Sequence, residues 1–226
     1  HQKPIMINGI HIGRALTKDT AVELANFCIS NSDVVTIREE ETRPIIKDMG
    51  INTDHLITLS DPAYGLDRFP NIAAGQKILE KENIHFKSDK VVGITFRHMY
   101  WKWNNSAWDK YSSIVAETCD YIIEKYGVDV LFIPHNTYTA GLKYENDFPA
   151  HREILAKIKN SEHAHQISNR YNINETLSLF PLFDMVFSNR RHTLIFAALH
   201  GIPGVGVGEE LHVKVTMEEL LLGGDN

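Results

Sequence analysis

Two arginines and a histidine stand in a row at Arg190-Arg191-His192, interrupting an otherwise apolar stretch of the chain. Asp184-Met-Val-Phe-Ser188 before them is short and apolar enough for a buried strand. Residues 194–199 after them form a helical run that ends at Gly201, with Pro203 beyond as a stop. The spacing predicts a strand-helix-strand unit whose second strand runs to Val207, and it puts the triplet where the first strand's carboxyl end meets the helix's amino end. In open parallel sheets that edge is where ligands bind, and the free N–H groups and positive dipole end of a helix favour an anion there. Arginine suits such a site because its planar guanidinium pairs bidentately with carboxylate or phosphate. Histidine suits it because a reference pKa near neutrality lets it carry a proton.

The elements that must position these residues read as alternating strands and helices. Strands are expected at residues 4–10, 34–37, 56–59, 91–96, 130–133, 165–168 and 184–188. Helices are expected at residues 17–29, 39–49, 76–81, 106–126 with Ser106 as N-cap, 148–158, 174–182, 194–199 and 216–222. The Glu39-Glu-Glu41 run reads as favourable charge in a first helical turn. Two prolines and a glycine within residues 60–70 break the rhythm, which divides the chain into residues 1–66 and 67–226. The chain opens directly on a strand, so the first Rossmann-like domain is expected to be partial. Alternation throughout predicts an α/β fold with mostly parallel sheets. Right-handed crossovers then bring Arg97, the loop carrying His135, Arg190 to His192 and the loop after Val207 to one sheet edge. The loop at residues 134–147 is too long for a simple turn, and long loops on rigid sheets are disproportionately functional.

Composition sets bounds on this picture. With 226 residues and 43% hydrophobic content a sizeable core is available, and a net charge of −6 argues against a nucleic-acid partner, so an anionic ligand has to be held by local cations. Cys28 and Cys119 lie far apart within helical patterns, which predicts reduced, buried thiols and a cytoplasmic address. No apolar run approaches the roughly 20 residues of a membrane span. His163-x-His165 lacks a third ligand of suitable spacing for a metal.

The stretch from Asp184 to Pro203, with its strand, Arg-x-His, Leu-Ile-Phe-Ala-Ala helix and Gly-x-Pro, resembles the polysaccharide pyruvyl transferase family. Similar pieces in the family's order are Val35-Thr-Ile-Arg-Glu-Glu-Glu-Thr42, Ser60-Asp-Pro-Ala-Tyr64, Val92-Gly-Ile-Thr-Phe-Arg97, Leu131-Phe-Ile-Pro134 with Asp147 after it, and Lys214. The resemblance implies two Rossmann-like domains of the GT-B type and transfer of the pyruvyl group of phosphoenolpyruvate to a saccharide, free or lipid-linked, as a ketal. It implies Arg190 and Arg97 as donor-binding residues and His192 as the catalytic histidine, delivering a proton to the enol carbon or taking one from the acceptor hydroxyl. His135 and Lys214 are further candidate substrate contacts, and no metal or other cofactor is required. Arg191 stands where the family usually has an apolar residue, and either contacts substrate or points at solvent. The aromatic loop from Tyr100 to Trp103 either stacks a sugar ring or packs between domains. Two other functions remain open: a sugar-nucleotide-dependent glycosyltransferase of the same architecture, and a non-catalytic anion- or saccharide-binding domain.

Overall fold

The computed structural model describes residues 3–12, 19–66, 71–98, 104–137 and 146–208. Lys214, the aromatic loop at residues 100–103 and the helix expected at residues 216–222 lie outside the described residues. The chain divides into two compact units, residues 1–67 and 68–226.

The first unit runs β1 (Met6–Ile10), α1 (Asp19–Ser30), β2 (Val34–Ile37), α2 (Thr42–Asp48) and β3 (Leu56–Thr58), and its strands form a parallel sheet in the order β1-β2-β3. Its core joins Ile29 of α1 and Ile46 of α2 to Val35, Ile37 and Leu56 of the sheet. Two expectations are corrected here. Helix α2 begins at Thr42, because Glu39 turns inward from the strand end to 3% exposure and does not sit in a first helical turn. Cys28 is exposed, since α1 presents Ala25 and Ile29 to the sheet and leaves Leu24 and Phe27 outside with it.

The second unit runs α3 (Ile72–Glu82), β4 (Val91–Thr95), α4 (Asn105–Tyr126), β5 (Asp129–Phe132), α5 (Asp147–Leu155), β6 (Ala164–Gln166), α6 (Ile173–Leu177), β7 (Met185–Ser188), α7 (Arg191–Leu199) and β8 (Gly204–Gly206). Its five strands are parallel in the order β6-β5-β4-β7-β8, so the chain moves outward from β4 to β6 and then returns to the other side of β4. Strands β4 and β5 are buried along their whole length, which is why they read as unbroken apolar runs in the sequence. Helix α4 packs Trp108, Val115, Cys119 and Ile123 against them. It is capped by the Asn104 side chain, not by Ser106, and closed by Gly127 at φ 60°. Helix α6 is shorter than its pattern suggests. A capping box between Asn172 and Glu175 starts it, and after Ser178 the chain tightens into a 3₁₀ turn at Phe180–Leu182.

Two features of the second unit are tightly constrained. A Cβ on Gly75 would lie 2.2 Å from the Ser178 carbonyl oxygen, so α3 approaches the end of α6 backbone to backbone. His151, at 0% exposure, meets the Phe132 ring edge-on and accepts the Phe96 N–H on Nε2 at 3.2 Å. That bond requires an unprotonated Nε2, and burial pushes the imidazole down to about 4, with Asp147 opposing and Arg190 reinforcing.

Gly75→Ala is expected to destabilise the protein by about 1–3 kcal/mol through overpacking, as measured by denaturant unfolding. Because the folded-state pKa of His151 is depressed, the unfolded chain binds the extra proton. The His151 contribution is intact above pH about 6.5 and is lost as pH falls toward about 4. Its share of the slope is at most about 1.4 kcal/mol per pH unit, and His151→Gln is expected to flatten the stability-pH curve in that window.

Candidate functional site

The order of the second sheet creates its site. Strands β4 and β7 are neighbours, but their connections leave in opposite directions, so the crevice beyond their carboxyl ends is a topological switch point where open α/β sheets bind ligands. Arg97 follows β4 on one side of it and Arg190 follows β7 on the other. Asn189 ties the two sides together. Its Oδ1 accepts the Arg97 N–H at 2.9 Å, and its Nδ2 donates to the Arg97 carbonyl at 3.2 Å. Below this link, the Ser188 hydroxyl donates to the Thr95 carbonyl at 2.9 Å, and the Thr95 hydroxyl donates to the Ile133 carbonyl at 2.9 Å. The ends of β7, β4 and β5 are thus cross-linked by side chains, and the residues emerging from them start from fixed points.

Helix α7 carries the triplet into this crevice. Arg190 is its N-cap, with extended backbone and no side-chain capping bond, and Arg191 and His192 are the first two helical residues. A helix amino terminus favours an anion by about 0.3–1 kcal/mol, up to ~2 kcal/mol when partly buried, so arginine side chains would have to supply most of any tight binding. The three side chains take different environments. Arg190 is partly buried, with its side chain 17% exposed, and donates through Nη2 to the Asp147 carboxylate. Arg191 is buried at 5% exposure, so it does not point at solvent. His192 is exposed on the first turn, tilted at 6.1 Å from the Phe196 ring of its own helix.

Asp147 holds the arrangement together. Nearly fully buried, it begins α5 and accepts the backbone N–H groups of His135 at 3.0 Å and Asn136 at 2.9 Å on Oδ2, while Oδ1 takes Arg190. The turn after β5 and the start of α7 are therefore joined through one carboxylate. His135 lies against α7, stacked on Phe196 at 5.5 Å with Nε2 3.2 Å from the Thr193 hydroxyl. Burial pushes its imidazole down to about 3, against the pull of Asp147 and with help from Arg190, His192 and His151. His135 is thus a neutral ring that can offer a hydrogen bond but no charge. His135 also lines a small cleft of about 30 Å³ at the ends of β5 and β6, together with Ile133, Ile167, Asn169 and Tyr171.

Arg97, His135, Arg190, Arg191 and His192 all belong to this carboxyl edge, and Lys214 lies outside the described residues. Asn189 carried no functional signal in the sequence, because it acts through Arg97, 92 residues away, and the pairing of Asp147 with Arg190 spans 43 residues. His98, next to Arg97, is buried and stacks on Trp108 at 4.2 Å, and burial lowers its pKa against the pull of Glu153. Burial also raises the Tyr111 phenol to about 12, with a hydrogen bond to Asn189 opposing it. Among the described residues, no group of three or more His, Cys, Asp or Glu is placed to hold a metal ion, and no helix is long and apolar enough to cross a membrane.

Comparison with known proteins places this geometry in context. No curated protein sequence matches the chain. Among solved structures, the UDP-GlcNAc 2-epimerase of Neisseria meningitidis bound to UDP-GlcNAc is similar with a TM-score of 0.61 at 12% identity, over 95% of this chain and 56% of that one. Anabaena Alr3699/HepE in complex with UDP-glucose is similar with a TM-score of 0.57 at 14% identity, over 90% and 53% of the two chains. The UDP-GlcNAc 2-epimerase of Methanocaldococcus jannaschii aligns over 99% of this chain and 65% of its own, at 12% identity and a TM-score of 0.55. At these identities the likeness establishes the fold, Rossmann-like parallel sheets of the GT-B type, and this chain spans between half and two thirds of the length of these structures. The sequence model of the family described as polysaccharide pyruvyl transferase matches residues 1–210. The strand ends, the arginines that flank the switch point and the exposed histidine on α7 are thus those of a chain that belongs to the polysaccharide pyruvyl transferase family.

Proposed function

We propose that this protein transfers the pyruvyl group of phosphoenolpyruvate onto a saccharide as a ketal, with the donor held at the switch point of the second unit. The observation that carries this reading is the placement of Arg97 and Arg190 on the two sides of one crevice, with His192 exposed at the helix terminus beside them. Phosphoenolpyruvate carries a phosphate and a carboxylate, and two guanidinium groups plus a helix amino terminus match a small dianionic or trianionic ligand. The Asp147 pair takes one Nη2 of Arg190 and orients the rest of the fork.

The chemistry that follows is balanced without a redox partner. Two hydroxyls of the saccharide add in turn to C2 of phosphoenolpyruvate, forming two C–O bonds. The C2–O bond to phosphate breaks, and phosphate leaves. One hydroxyl proton ends on C3, which becomes a methyl group, and the other leaves with phosphate. His192, in solvent contact at the mouth of the site, is the group assigned to proton transfer. The neutral His135 would hydrogen-bond substrate or support α7. Binding of UDP-sugars by the similar folds supplies the competing reading, a sugar-nucleotide enzyme using the same helix terminus for a diphosphate.

Calorimetry with phosphoenolpyruvate, UDP-glucose and UDP-GlcNAc separates the two, and binding of a nucleotide sugar with no response to phosphoenolpyruvate would overturn pyruvyl transfer. His192→Ala is expected to lower kcat for transfer at least a hundredfold while the phosphoenolpyruvate Kd stays within about threefold; unchanged turnover removes His192 from catalysis. Arg97→Ala is expected to weaken donor binding by about ten- to hundredfold, the ~1.5–3 kcal/mol of a hydrogen bond to a charged group. Asp147→Asn tests orientation against charge. Removing a carboxylate beside Arg190 would tighten anion binding if charge alone mattered, whereas loss of the fixed fork is expected to weaken it.

A further inference from the structure

The sheet of the first unit ends, among the described residues, on β3, which has β2 as its one neighbouring strand. A strand at the edge of a sheet offers unpaired N–H and C=O groups to any further strand, and the hazard is greatest where its side chains are apolar and exposed. Ile57 and Leu59 fit that description at 49% and 50% exposure. The ladder shows which groups face outward. Val35, Thr36 and Ile37 stand opposite Leu56, Ile57 and Thr58, and the Leu59 N–H donates to the Ile37 carbonyl at 2.9 Å. Parallel strands bond through alternate residues, so Ile57 and Leu59 turn their backbone groups to β2, and Leu56 and Thr58 turn theirs to the open side.

Both outward groups of Leu56 already have partners. Its N–H donates to the Thr53 carbonyl at 3.1 Å, and its carbonyl accepts Arg43 through Nη1 at 3.2 Å and Nη2 at 3.3 Å. Arg43, from α2, commits the rest of its fork to the same edge. Nη1 also reaches the Thr53 carbonyl at 2.9 Å and Nη2 the Thr58 hydroxyl at 3.0 Å, while Nε donates to the Glu40 carboxylate, which accepts the Thr58 hydroxyl in turn. Leu56 is consequently 5% exposed although it lies on an edge strand. Stability gives a poor account of this arrangement, because the Glu40 side chain is 61% exposed and ion pairs in contact with solvent contribute little. Its position explains more. The other edge strand, β1, is interrupted by a register shift between Ile7 and Ile10 with Gly9 at φ 66°, and bulges and charged side chains are the usual means by which sheet edges are closed to other chains.

We propose that Arg43 shuts the β3 edge against strand addition by a second copy of this chain. The outward groups are self-complementary. About a two-fold axis at Ile57, Leu56 of one copy would face Thr58 of the other, and each such pair would exchange two backbone hydrogen bonds, as in an antiparallel ladder. The guanidinium occupies the carbonyl that this pairing needs. This role is one of assembly, separate from the reaction assigned to the second unit. Sedimentation velocity of the full chain over a concentration series, with hydrogen exchange followed at residues 56–59, tests it. The wild type is expected to show no concentration-dependent protection of those residues. Arg43→Ala is expected to tighten self-association at least tenfold and to slow exchange at residues 56–59 as concentration rises. Arg43→Lys, whose ammonium cannot fill both Nη positions, is expected to move the same way by a smaller factor, and it carries the test if Arg43→Ala does not fold. Adding Ile57→Lys to either variant sets like charges face to face across the axis and is expected to restore wild-type behaviour, which it would not do for aggregation of unfolded chains. Wild-type association in every folded Arg43 variant overturns the proposal. So does association without protection of residues 56–59, association that Ile57→Lys leaves unchanged, or concentration-dependent protection of those residues in the wild type.

Discussion

Asp147 lies in the interior of the second unit at its ligand edge, where a carboxylate without partners would carry a desolvation cost of several kcal/mol. Three donors offset that cost, namely the N–H groups of His135 and Asn136 and the guanidinium of Arg190. The same three bonds decide the geometry of the edge. They fix the turn after β5 and the arginine that caps α7, and they leave His135 seated against Phe196 and Thr193. Arg190 is consequently a positioned cation, with one side of its fork committed to the protein. A ligand at the switch point would meet the remainder of that fork in a set orientation, which lowers the ordering cost of recognition.

Neutral histidines complete the electrostatics of this edge. His135 and His151 are pushed far below their ordinary values chiefly by burial, and Arg190 acts in the same direction on both. A charged imidazole at either position would compete with Arg190 for Asp147. With both rings neutral, neither adds positive charge beside Arg190, and His192, the exposed histidine of the triplet, is in contact with solvent. The cross-link from Ser188 through Thr95 to Ile133, with Asn189 clamping Arg97, makes the floor of the crevice rigid without metal or disulfide among the described residues.

Both units carry charged side chains at their carboxyl edges. In the second, Arg97 and Arg190 follow neighbouring strands; in the first, Glu39 meets His11 and Arg38, and Arg38 also pairs with Asp61. Each sheet is parallel, so each collects residues from distant parts of the chain at its carboxyl ends.

Local chemistry determined a large part of this protein in the sequence itself. Unbroken apolar runs marked β4 and β5, and Gly127 marked the end of α4. The abrupt polar triplet before Leu194 marked a strand-to-helix junction, and with alternation of strands and helices it placed Arg97, His135 and Arg190 to His192 on one edge. These features depend on residues within a few positions of one another, so periodicity and caps reveal them. Tertiary structure alone decided the surroundings of each of these cations. The Asp147–Arg190 pair, the Asn189 clamp on Arg97 and the burial of Arg191 each depend on segments brought together by the order of the strands. The same holds for Glu39, whose place in an acidic run resembled an exposed first turn until the ends of β1 and β3 enclosed it with His11 and Asp61 nearby. A side chain's charge is written in the sequence, but its partner and its exposure are set by which strand ends become neighbours.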